Sequence, residues 1–86
     1  MQPTERRATA TEVEMVTTML RIAADIDRLD ELSDQESPPV SYLQVSPALL
    51  QTGEGLRARA EQAAYLKQCP VLRRLVEDDH KRRHQK

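Results

Sequence analysis

The side chains best suited to chemistry lie in the C-terminal part of the chain. His80 and His84 are four residues apart, so on a helix they would share one face and could hold a metal ion. The residues between them, at 81–83, are all cationic and oppose a metal, and the spacing places no third ligand. Cys69 has no recognisable base that would activate it as a nucleophile. We therefore predict no metal, no cofactor and no catalytic residue, and interpret Cys69 as a buried structural residue.

Charge is divided between the two halves of the chain. Residues 25–36 contain six acids against Arg28 alone, and we interpret them as a solvated helix end followed by an acidic linker. From Arg57 onward basic residues dominate, and the candidate nucleic-acid contacts at the end are Lys81, Arg82, Arg83 and Lys86. No aromatic residue is interleaved with them for base stacking, and two aspartates precede them. Nucleic-acid binding is kept as an alternative function.

Length and composition indicate one small domain. The chain has 86 residues, no Trp and no Phe, so a core must rely on closely packed aliphatic helices or on a partner. A single cysteine excludes an internal disulfide and favours a reduced, intracellular setting, cytoplasmic or nuclear. We see no signal peptide and no apolar run long enough for a membrane helix, so we expect a soluble protein without membrane or small-molecule partners.

One long amphipathic helix over residues 9–32 is the element around which the rest is organised. Thr9 with Glu12, or Thr11 with Glu14, has the spacing of a capping box that would start it. Its apolar residues form a seam with alternating four- and three-residue spacing, typical of a coiled coil: Met15, Met19, Ile22, Ile26 and Leu29. A second apolar stripe lies beside the seam and is led by Val13, Val16 and Leu20. A helix that is apolar on two sides needs neighbours on two sides, either its own later helices or a partner chain.

The remaining segments are shorter. Residues 1–8 are predicted to be a flexible N-terminus, and 33–45 an acidic linker whose Pro38-Pro39 pair enforces extended backbone. Within 46–79 we expect a short helix opened by Ser46-Pro47 and stopped at the glycines of 53–55, then an Ala-rich helix, with a break at Pro70. Residues 80–86 form a basic tail, either a solvated helix end or disordered. The predicted fold is all-α, with three or four helices.

Residues 7–13 (RATATEV) resemble a short segment at the start of a long helix in some tailed-phage portal proteins. Portal chains are much longer, and nothing after Val13 continues the likeness, so no functional residue is assigned from it. The resemblance implies a small structural component of a phage virion as a further alternative.

The function that these patterns favour is non-enzymatic protein–protein interaction. We expect a small subunit or adaptor of a larger assembly, bound to another protein chain in a hetero-complex or homo-oligomer. The seam from Met15 to Leu29 would make one contact, and the stripe of Val13, Val16 and Leu20 the other. Helix-in-groove or coiled-coil association is the expected mechanism, and methionine in the seam suits an adaptable surface.

Overall fold

In a computed structural model of the chain, which describes residues 7–35 and 45–84, three α-helices follow one another and no strand occurs within those two ranges. Helix α1 spans Ala10–Asp34, α2 spans Pro47–Lys67 and α3 spans Pro70–Arg83. The all-α prediction is confirmed, with three helices. In these ranges no helix combines the length and apolar character needed to cross a membrane.

Helices α1 and α2 begin at residues whose side chains cap them, and α3 begins without such a cap. The Thr9 N–H donates to Glu12 Oε1 at 2.9 Å and the Glu12 N–H donates to Thr9 Oγ1 at 3.0 Å, so the first of the two possible capping boxes is the one formed. In α2 the Leu49 N–H donates to Ser46 Oγ at 3.2 Å. Cys69 is the N-cap of α3 without a side-chain cap bond, and in both α2 and α3 a proline occupies the first turn.

Helix α1 continues two residues past its predicted end. Ser33 is buried, and its hydroxyl donates to the Asp30 carbonyl oxygen at 2.9 Å, which satisfies the hydroxyl inside the helix. Residues 33 and 34, predicted as the start of the acidic linker 33–45, therefore belong to α1. The rest of that prediction, including Pro38-Pro39, lies at 36–44, outside the described residues, as does most of the N-terminus predicted to be flexible (1–6).

The structure differs from the sequence prediction at the two glycines, because α2 is one continuous helix across Gly53 and Gly55. Neither glycine has a positive φ, so neither acts as a helix cap. Gly53 is buried against α1: a Cβ built on it would lie 3.5 Å from Ile26 Cδ1 and 3.8 Å from Ala23 Cα. These are ordinary contact distances, so Gly53 packs against α1 inside a helix instead of ending it.

The turn between α2 and α3 is made by a left-handed residue. Gln68 has φ 49° and ψ 43°, and its N–H donates to the Tyr65 carbonyl oxygen at 3.2 Å. Cys69 and Pro70 then open α3, which stays helical through Arg83. The predicted tail at 80–86 is thus the helix end over most of its length, while 85–86 lie outside the described residues.

The core lies where all three helices meet. Its buried members are Val16 and Leu20 of α1, Ala60 and Ala64 of α2, and Cys69 and Leu72 at the start of α3. Val13, Leu75 and Val76 are partly buried against this cluster. Because α2 contributes alanines, the helices approach closely, and the core formed by residues 7–35 and 45–84 contains no aromatic residue.

We predict that Gly55→Ala and Gly53→Ala each raise the free energy of unfolding by about 0.5–1 kcal/mol, because alanine restricts the unfolded chain and favours a helix interior. A Cβ at Gly55 meets nothing within 4 Å, and one at Gly53 meets Ile26 at an ordinary contact distance. Urea denaturation followed by circular dichroism measures the change.

The matched control is Gly53→Leu, whose extra carbons must displace Ile26 and should cost about 1–3 kcal/mol. If Gly55→Ala instead lowers stability, the chain turns at these glycines and α2 is not continuous.

Candidate functional site

The structure divides the α1 residues predicted to bind a partner into an inner and an outer set. Val16 and Leu20 are buried in the chain's own core, and Val13 packs against it. Ile26 is also buried, next to Gly53 of α2. The second stripe and one residue of the seam are therefore covered by α2 and α3.

The outer set is a straight line of three large aliphatic side chains. Met15, Ile22 and Leu29 are seven residues apart and are 54%, 43% and 51% exposed. Residues at this spacing stay nearly in line along a helix and extend over about 21 Å. Met19 lies half-buried on the inner margin of the line, and Leu32 extends it toward the end of α1 with 42% exposure.

Charged residues border the line on the side away from the core. Arg21 and Asp25 are both exposed and four residues apart, a spacing at which oppositely charged side chains on a helix can form a salt bridge. No ion pair joins them to each other or to another residue in the described part of the chain. The next pair along the helix does form, with Arg28 Nη1 3.3 Å from Glu31 Oε1. The charges nearest Ile22 thus remain available to a partner.

A charge cluster with Arg57 and Asp79 buried at its centre connects all three helices. Arg57 Nη1 of α2 lies 2.8 Å from Asp27 Oδ2 of α1, and Arg57 Nε donates to Asp79 Oδ2 of α3 at 3.1 Å. Asp79 is buried and also accepts from Arg83 Nε at 3.2 Å, with Arg82 Nη2 3.6 Å from its other oxygen. The cluster holds the C-terminal half of α3, where few apolar residues remain, against the other two helices.

Sequence reasoning missed this cluster, although a signal for Asp79 was present. The inward positions of α3 are Leu72, Leu75 and Val76, and continuing their helical spacing leads to Asp79. An acid at an inward position needs a cationic partner, because burying an unpaired carboxylate is costly. Arg57, in the otherwise Ala-rich helix, is that partner.

The groups considered for metal binding and nucleophilic chemistry are not assembled into a site. His80 and His84 are exposed, with ring centroids 4.3 Å apart, and no group of three potential metal ligands occurs within 7–35 and 45–84. Cys69 is fully buried, which keeps solvent from its thiol. Two of the basic tail residues, Arg82 and Arg83, are engaged with Asp79, whereas Lys81 is exposed and Lys86 lies outside the described residues.

No protein-family model matches the chain. Comparison with curated proteins and with solved structures also finds no significant similarity.

We predict that Asp79→Ala lowers the free energy of unfolding by about 3 kcal/mol, because it removes one partner of a buried ion pair and leaves Arg57 with a single carboxylate. Thermal or urea denaturation measures this loss. Asp78→Ala is the control: Asp78 is exposed on the same turn, and its removal should change stability by less than about 0.5 kcal/mol. Equal losses in the two variants would show that the cluster does not hold α3.

Proposed function

We propose that this protein is a non-enzymatic interaction module that binds an amphipathic helix of another protein chain along the outer line of α1. The observation that carries the proposal is that Met15, Ile22 and Leu29 stay about half exposed after the chain has packed its own three helices. A partner helix with its own apolar residues at heptad spacing would insert side chains between these three. This is the chemistry of a subunit or adaptor rather than of an enzyme.

Burial of these three half-exposed side chains would favour the binding of such a partner helix. Full burial of a Leu, Ile or Met side chain contributes about 1.5–3 kcal/mol, so completing the burial of three half-exposed residues contributes roughly half of that for each. Isolated helices of two heptads are marginal in water. Here α1 is already held by α2 and α3, so docking does not have to order it, and the entropic cost of binding is reduced.

The proposal is narrower than the one drawn from sequence alone. Val13, Val16, Leu20 and Ile26 face the chain's own helices, so substituting them would damage the fold before it reported on binding. The partner surface consists of Met15, Ile22 and Leu29, with Met19 on its margin.

We predict that Ile22→Asp together with Leu29→Asp weakens partner binding at least thirtyfold, because a carboxylate in a closed apolar interface is left unpaired. A photo-cross-linking amino acid placed at Met15 in the full chain should react with a helical segment of one partner in extract of the source cells. Mass spectrometry identifies the joined peptides, and the double variant should lose them while keeping its circular dichroism spectrum.

The matched control is Leu66→Asp, which introduces the same charge at a residue 72% exposed near the end of α2. It should leave the cross-link unchanged. Loss of the cross-link in both variants, or in neither, would contradict a docking surface on α1.

A further inference from the structure

We propose that the helix which docks on the outer line of α1 is α1 of a second copy of this chain, running antiparallel across a twofold axis. The inference rests on the proposed function and names its partner. The line is followed on its outer side by Thr18, Asp25 and Leu32, each three residues after a member of the line. Together these positions make the alternating three- and four-residue pattern by which two helices pack side by side.

An axis between Ile22 and Asp25 gives a complementary set of contacts. Met15 then faces the partner's Leu32, and Thr18 faces the partner's Leu29. All four of these positions are at or near the surface of the folded chain, and the three aliphatic ones are 42–54% exposed. The twofold repeats both contacts and sets Ile22 opposite the partner's Asp25, so aliphatic side chains cover one another at the two ends of the interface and a mixed layer lies at its centre. Such self-complementary contacts are typical of twofold dimers, the commonest oligomers.

The charges on the border favour the antiparallel direction. With the axis between Ile22 and Asp25, Arg21 of each copy lies beside the partner's Asp25, which gives two equivalent opposite-charge pairs. In a parallel pair Asp25 would face the partner's Asp25 across the interface, so like charges would meet, while the two copies of Arg21 would lie on opposite sides of it and could not reach the partner's Asp25. The lack of an ion pair for Arg21 or Asp25 in the described part of a single chain is explained if the partner supplies it.

The same pairs explain how Asp25 is accommodated on an apolar surface. As a lone carboxylate beside Ile22 it would disfavour association with an uncharged helix, because its desolvation would not be compensated. Beside the arginine of a second copy it forms a charge-assisted pair that fixes direction and register. A second copy of this chain therefore fits the surface better than an apolar helix that has no cation to place beside Asp25.

The test is the mass of the full chain in solution, measured by light scattering during size-exclusion chromatography and by sedimentation equilibrium over about a hundredfold range of concentration. We expect a monomer–dimer equilibrium for the natural chain. Arg21→Asp and Asp25→Arg, measured separately, should each raise the dissociation constant at least tenfold, because each creates two like-charge contacts. An equimolar mixture of the two variants should recover dimers, since only the mixed dimer has both pairs of opposite sign.

Arg74→Asp, the same charge reversal at an exposed position of α3, is the control and should leave dimerisation unchanged. In a parallel dimer Arg21 would meet neither Arg21 nor Asp25 of the partner, so an unchanged dissociation constant in Arg21→Asp would overturn the antiparallel arrangement. A monomer at every concentration overturns the second-copy proposal alone, because the cross-link from Met15 tests docking of a different protein independently. If the variant Ile22→Asp with Leu29→Asp still dimerises, the contact between copies lies elsewhere and this proposal is overturned. The cross-link from Met15 then tests the proposed function separately.

Discussion

The guanidinium of Arg57 holds the three helices in one arrangement. It contacts Asp27 of α1 and Asp79 of α3 from the middle of α2, and its side chain is only 11% exposed. Contacts among alanines and leucines tolerate sliding of one helix along another, whereas a planar guanidinium between two carboxylates fixes the position of each. Its Nη2 is buried with no hydrogen-bond partner in the described part of the chain, which costs some stability. We therefore interpret the cluster mainly as a determinant of helix register.

Small residues set how much of α1 the other helices can cover. Ala60 and Ala64 are almost fully buried, and Gly53 meets Ala23 of α1 without an intervening side chain. A narrow contact of this kind brings the helix axes close together but leaves the flanks of α1 uncovered. The proposed docking surface is exposed for this reason. Helices α2 and α3 pack on one face of α1 through small side chains and do not reach its opposite face.

Local features of the fold could be predicted from the sequence, and features that depend on distant residues could not. The starts of the three helices are set by neighbours within one turn, so residue types limited the start of α1 to two capping boxes and marked Ser46-Pro47 and Pro70. The contact of Gly53 with Ala23 and Ile26 joins two helices and has no local pattern in the sequence. The spacing of α3 marks Asp79 as an inward residue, but nothing local identifies Arg57, 22 positions earlier in the chain, as its partner.

The sequence pattern identified the apolar residues of α1 from which the candidate site is drawn, but not which of them face solvent. Ile22 and Ile26 differ by only about 40° around the helix, yet one is 43% exposed and the other 5%. The edge of the core therefore passes between two residues of the same seam, and its position depends on how α1 crosses α2, which periodicity does not specify. The placement bears on the proposed docking. Ile22 lies four residues before the buried Ile26 on a helix packed against α2, so the proposed partner helix would meet a surface that is already formed.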